Sequence, residues 1–175
     1  SDNTGPAGFP AYHLDPDADQ RHLAAQTGWE PSDPKAIYLW FRDSFLEGQR
    51  PKVRRLVRYL KAWAALQFAD EKKRLSSICL TVLVADACNA ITYDELGPDD
   101  EALSRVLAEV ADRLDNEGEI ENPIDPNENL CRLNDVELSD FVLRLKSFRN
   151  VSLRALAEDD PTLSALIWQE SLSYL

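Results

Sequence analysis

The chain has 175 residues, enough for one domain with a substantial core. Its 44% hydrophobic content, with four Trp, six Phe and five Tyr, excludes a disordered chain. Thirty-one acidic against 19 basic residues leave a net charge of −12, so broad nucleic-acid binding is not expected, because a phosphate backbone would be repelled on average. No apolar run approaches a membrane span, and no basic start with an apolar core marks a signal peptide; a cytoplasmic location is expected. Cys79, Cys88 and Cys131 show no C-x-x-C spacing. Cys79 and Cys88 sit in apolar helical context and read as inert core thiols rather than a disulfide or zinc site.

Along the chain the helical period dominates. Ser1–Gly8 is small and polar, the composition of a linker or junction, and Phe9–Thr27 is mixed and irregular. Ser32 is placed to cap a first helix, with Pro34 in its first turn, and Ile37, Trp40, Phe41, Ser44 and Phe45 form one face before Gly48. A second helix is predicted over about 50–69, with Val53, Leu56, Val57, Leu60, Ala64 and Phe68 inward. A third, over about 76–93, is apolar on most sides, Ile78 included, which implies a central helix covered by others. An amphipathic helix follows near 98–114, then a proline-broken loop over 117–132. Helices resume over 136–158, with a break near Asn150, and over 161–174 with Asp160 as cap. No strand alternation stands out. The expected fold is an all-α bundle of five to seven helices with little or no sheet, occupying residues 9–175 as one domain.

Several clusters invite a functional reading. Asp15, Asp17 and Asp19 form D-x-D-x-D, but Gln20 and Gln26 stand where a calcium loop needs Gly and Glu, so a solvated acidic loop is the better reading. His13 and His22 lie in the same stretch without cysteine neighbours. The basic residues are unevenly spread, with Arg50, Lys52, Arg54, Arg55, Arg58, Lys61, Lys72, Lys73 and Arg74 falling close together. An acidic body with one basic seam suits a small anionic ligand better than a long polyanion. Arg54, Arg58 and Lys61 share one flank of the second helix. If the second and third helices pack antiparallel, Lys61 lies about two turns below the helix start at Ser76 and Ser77. Free backbone N–H groups, hydroxyls and an ammonium would then converge on one point, a recipe for holding phosphate. Helix capping explains the two serines equally well, and snorkelling explains the lysine.

The order of motifs also carries a resemblance. Trp29–Ser44 reads W-x-x-SDPK-x(4)-WF-x-DS; R-x-x-K-V-R-R-L-V-R-Y-L-KAW and SSI-x-L follow, and Asn122–Leu130 reads NPIDPNENL. Over roughly residues 9–135 this resembles the C-terminal helical half of the bacterial cGAS/DncV-like nucleotidyltransferases (CD-NTases), which make cyclic oligonucleotide signals in CBASS anti-phage defence. The resemblance implies a parent enzyme that joins nucleoside triphosphates such as ATP and GTP, with two Mg ions clamping the reacting phosphates. It further implies that Lys61 and Ser77, with Ser76 beside them, contact the donor triphosphate. Ser32 and Asp33 would line or brace the nucleotide pocket, and Asp125 would read a base. Trp40 and Trp63 are expected in the core. The family's Gly-Ser motif and metal carboxylates have no counterpart here, and Gly8 stands where a third catalytic aspartate is usual. No catalytic or metal residue is therefore assigned, and a catalytic lobe outside this chain becomes an expected partner, as do CBASS regulatory proteins. The other function class is a non-catalytic helical module that docks a partner protein. Because the chain lacks the carboxylates that would hold Mg, it should by itself release no pyrophosphate from ATP or GTP; metal-dependent synthesis of any oligonucleotide would sink the reading that the catalytic lobe lies outside this chain.

Overall fold

The computed structural model describes residues 21–25, 28–32 and 34–172. It divides into two compact units, 1–36 and 37–175. The described part of the first unit is an antiparallel hairpin, β1 (Arg21–Ala25) and β2 (Gly28–Ser32), in the register Arg21↔Ser32 to Ala25↔Gly28, followed by the first residues of a helix that continues into the second unit. The sequence reading left this stretch irregular, because neither RHLAA nor GWEPS alternates apolar with polar. The segments 9–14 and 15–19 lie outside the described residues.

The second unit is helical. Helix α1 (Pro34–Asp43), α2 (Arg50–Gln67), α3 (Ser77–Ala90), α4 (Asp99–Glu117), α5 (Asp135–Leu156) and α6 (Pro161–Leu172) follow in order, with 3-10 turns at Glu71–Lys73 and Tyr93–Glu95. Apart from the hairpin, the pairing among the described residues is an isolated bridge, Glu121↔Asn129. The all-α architecture is thus borne out.

Each boundary has a local cause. Pro51 occupies the first turn of α2, where its missing N–H costs nothing. Ser76 Oγ accepts from Cys79 N at the start of α3. Asn134 and Glu137 form a reciprocal capping box on α5, and Asp160 Oδ1 accepts from Thr162 N and Leu163 N on α6. Gly118, at φ 65°, ends α4 in the left-handed conformation that a side chain would resist. Two expectations need correction. Helix α5 runs unbroken through Asn150, since Phe148 and Val151 on either side are both buried and hold one continuous face. Ile78 is 42% exposed, because it sits in the first turn of α3, beyond the reach of covering helices.

The central-helix reading of α3 holds: Cys79, Leu80, Val82, Leu83, Val84, Ala85, Ala87 and Cys88 are all buried. Helix α2 packs on α3, α3 on α4, and α4 and α6 on α5. Trp63 is the largest fully buried side chain, stacked on Phe148 at 5.4 Å and edge-on to Phe141 at 5.4 Å. Phe41 and Phe45 are buried and Trp40 packs partly against the same core. Burial pushes the Cys79 and Cys88 thiols up to about 12, which keeps them protonated and inert. Phe141→Ala should cost about 3–5 kcal/mol, the range for emptying a buried aromatic site. Asn134→Ala, which removes only a cap, should cost about 1 kcal/mol. Urea denaturation of both variants checks the ordering.

Candidate functional site

Helix α2 carries six cations and no acid: Arg50, Lys52, Arg54, Arg55, Arg58 and Lys61. The structure sorts them. Arg50 Nε donates to the carbonyls of Arg42 and Phe45, at 2.9 and 3.0 Å, and closes the turn between α1 and α2. Lys52 Nζ donates to Gly97 O and stands 5.4 Å from the centre of the Tyr93 ring. Arg55 forms a two-pronged pair with Asp99, at 2.6 and 2.9 Å, that pins α2 to the start of α4. That guanidinium holds the Asp99 carboxyl below the usual carboxylate range. These three cations are structural.

Arg54, Arg58 and Lys61 are different, since no hydrogen bond, ion pair or ring contact engages their side chains among the described residues. Arg54 and Arg58 are exposed, whereas Lys61 is half-buried. Desolvation pulls the Lys61 ammonium below its ordinary pKa, with no acceptor to offset it. Several cations elsewhere are matched with acids, Arg113 with Asp86 and Glu117, Arg144 with Asp140, Lys146 with Asp115 and Arg154 with Glu170, while the exposed side chains of Lys35, Lys72, Lys73 and Arg149 engage no partner among the described residues; Lys61 differs from these in being half-buried.

The next helix supplies donors. A connection through buried Phe68 and Leu75 returns the chain from α2 to α3, and the two helices pack together. Lys61 lies six positions, about 9 Å of rise, before the end of α2. The two serines have separate roles at the start of α3. Ser76 is spent as the cap, its Oγ accepting from Cys79 N at 3.2 Å. Ser77 is exposed and its hydroxyl takes no partner among the described residues; its carbonyl accepts from Thr81 Oγ1 at 2.7 Å. The amides of Ser77 and Ile78, in the first turn, donate to no group among the described residues.

The remaining sequence-selected residues stand apart. Asp125 is exposed in the loop between α4 and α5, where its Oδ1 accepts from Asn127 N at 3.1 Å and its carbonyl from Glu128 N at 2.9 Å. Ser32 ends β2, one residue short of the position before Pro34, and its side chain and Asp33 lie outside the described residues. No hydrogen bond or ion pair joins Lys61 to Ser76, Ser77 or Asp125. A groove of about 780 Å³ is lined by Lys73, Asn134, Asp135, Val136, Glu137 and Asp140. Its carboxylates suit no phosphate, and none of the sequence-selected residues lines it. Among the described residues no group of three or more His, Cys, Asp and Glu side chains is placed to hold a metal ion.

Comparison with known proteins addresses the helices that carry these residues. No family model matches the chain. It is 26% identical over 140 residues to a cyclic GMP-AMP synthase of Escherichia albertii, spanning 79% of this chain and 30% of that protein. A Vibrio cholerae DncV cyclic AMP-GMP synthase, solved with the linear intermediate 5′ pppA(3′,5′)pG, superposes with a TM-score of 0.70 at 19% identity. The overlap covers 87% of this chain and 40% of that one. Escherichia coli DncV in a 3′-deoxy GTP bound form superposes with a TM-score of 0.64 at 21% identity, over 83% and 39% of the respective chains. The resemblance to the cGAS/DncV-like nucleotidyltransferases holds. The chain spans about a third of the curated relative and about two fifths of the solved chains.

The partnerless Lys61 has a measurable cost. A lysine whose folded pKa is depressed binds fewer protons folded than unfolded, so stability rises as pH climbs from the folded pKa towards the ordinary 10.5. Lys61→Met keeps the stem and deletes the charge. Thermal denaturation should show an unchanged or higher midpoint, by about 1–3 °C, and loss of that alkaline gain in stability. A midpoint several degrees lower would mean that the ammonium holds the fold together.

Proposed function

We propose that the chain is the nucleotide-binding helical part of a synthase that joins nucleoside triphosphates into a cyclic nucleotide signal, in the setting of anti-phage defence. The observation that carries this reading is Lys61, a half-buried cation with no acceptor among the described residues, whereas Lys52 and Arg55 on the same helix each have one. An uncompensated charge taken out of water costs free energy unless a ligand completes it. The reading requires one anion to meet the ammonium together with the spare Ser77 hydroxyl and the unspent amides of the first turn of α3, the helix on which α2 packs. A triphosphate offers the matching acceptors. Support comes from the relatives: Vibrio cholerae DncV has been solved with ATP and GTP and with a nonhydrolyzable GTP.

The residues described here bind and orient; they do not react. Their donor set does not fit a metal pair, so no catalytic step is assigned to them. Metal ions and the carboxylates that hold them would belong to a catalytic lobe seated against this part, and Mg would there neutralise charge on the reacting phosphates. Asp125 is proposed as a contact to a base edge, and Ser32 and Asp33 as further nucleotide contacts. A second reading, a module docking a partner such as a CBASS regulatory protein, draws on α6. That helix is apolar on most sides, yet Leu163 and Leu166 are 48% and 54% exposed.

The test is ATP binding to the purified chain by calorimetry. Affinity on the order of millimolar is expected, falling with salt, since only part of a pocket is present. Lys61→Ala and Ser77→Ala should each weaken it roughly tenfold, one charge-assisted contact apiece. Ser76→Ala should instead lower helix stability by about 1 kcal/mol, as loss of a cap does. If neither Lys61→Ala nor Ser77→Ala alters ATP binding, capping and snorkelling account for both residues and the module reading gains.

A further inference from the structure

Helix α5 leaves one face uncovered. Val136, Asp140, Leu143 and Ser147 fall within an arc of about 60° on it, and all four are exposed. Val136 and Leu143, at 79% and 68% exposed, are two of the three most exposed large apolar side chains among the described residues. Apolar residues at i and i+7 on one stripe are the pattern of a helix that meets another helix. Val136 also lines the groove of about 780 Å³ at the start of α5.

The charges on the same helix are segregated. All three of its acids, Asp135, Glu137 and Asp140, precede Leu143; all four of its cations, Arg144, Lys146, Arg149 and Arg154, follow it. The helix dipole favours acids in the first turn and cations in the last, but its effect fades within a turn. It does not account for the change of sign at mid-helix, nor for two bare apolar side chains. At 100° per residue, Asp135 and Lys146 share one flank of the stripe, and Glu137 and Arg144 share the other. Asp135 and Arg149 engage no side-chain partner among the described residues.

A face that is acidic at one end and basic at the other is its own complement when turned end for end. A partner of a single charge sign would satisfy one half and repel the other. Two-fold symmetry, the commonest relation between identical chains, provides that reversal. We propose that α5 packs antiparallel on α5 of a second copy of this chain, about an axis between Ser139 and Asp140, with Leu143 of each copy against Val136 of the other at the groove. In this register Asp135 comes within a turn of Lys146 of the second copy, and Glu137 within a turn of its Arg144. Asp140, beside the axis, is matched in its own chain by Arg144 at 3.1 Å, which limits repulsion between the two copies. Lys146 also serves Asp115 within the chain, and the seam is one helix wide. Association is therefore weak, with Kd on the order of 10–100 μM. None of these residues belongs to the proposed nucleotide site, so the two readings stand or fall separately.

Sedimentation velocity on the full 175-residue chain, at concentrations bracketing that value, should show monomer passing into dimer, and raised salt should shift it back. Leu143→Glu puts a charge in the seam and should weaken association at least about tenfold. Its circular dichroism should match the parent chain, because the position is exposed. Asp135→Lys and Lys146→Glu should each weaken association about three- to fivefold. The two substitutions together should restore it to within about twofold, since the swapped charges meet again only across the two-fold axis. A chain that stays monomeric across the range overturns the proposal. So does a dimer indifferent to Leu143→Glu, or a double variant no tighter than either single one. A dimer lost instead on Leu163→Glu puts the contact on α6 and overturns it equally.

Discussion

The seating of Trp63 sets the rotation of α2, and most of what is distinctive about the molecule follows from that. Its indole stacks on Phe148 with an interplanar angle of 6°, while Phe141 and Phe68 approach edge-on. A ring this large, 1% exposed and held by aromatic neighbours from α5 and the α2–α3 connection, leaves α2 a single rotational setting. At 100° per residue, the buried positions Val53, Leu56, Val57, Leu60 and Ala64 fall within about 120° of Trp63. Arg54 and Arg58 then lie on the far side. Lys61 sits about 40° past Val57, at the edge of the buried arc. Its half-burial is a consequence of that border position, and so is the desolvation of its charge.

The electrostatics sort along the same helix. Acids are plentiful, yet none is on α2, and the ones nearby are consumed by cations that stitch the fold: Asp99 by Arg55, Asp86 by Arg113. The stitching cations reach neighbouring segments, whereas idle Arg54 and Arg58 are exposed and idle Lys61 sits half-buried at the border of the core. A general solvated surface would mix charges to reduce like-charge repulsion along a helix, whereas Arg54 and Arg58 repel one another at i, i+4. Among the described residues no acid pairs with either arginine; on the proposed reading a bound anion would offset that cost.

The sequence made the helices legible because their apolar faces repeat at the helical period: every inward residue assigned to α2 is buried, and α3 shows by its breadth that it is covered on several sides. The hairpin was not legible, since its strands do not alternate and only pairing defines them. The unbroken course of α5 was misjudged at Asn150, where an exposed polar residue interrupts the pattern without breaking the hydrogen-bond ladder. Ser152, buried and bonded to Ser104 Oγ at 3.0 Å across α4 and α5, gave no apolar signal at all. For the site, the cluster of nine basic residues was visible, but which were spoken for was not. That depended on partners as remote in sequence as Gly97 and Asp99. The same limit applied to Ser76 and Ser77. Adjacent and chemically alike, they are separated only by geometry, which commits one to capping and leaves the other spare.

This division of labour bears on how a helical region can serve a reaction without reacting. The parts that need rigidity are built from apolar contacts and paired charges: the Trp63 cluster, the Arg55–Asp99 clamp and the capped start of α3. The parts proposed to meet a nucleotide are left unpaired on those rigid elements, so binding would need little reorganisation of backbone. A lysine fixed at the border of a core keeps its stem packed and its ammonium short of water, which strengthens attraction for an anion more than free solvent would allow. Pairing Lys61 with an internal acid would relieve that strain and blunt the site in the same stroke. The missing acid is therefore the feature that links the fold to its proposed use.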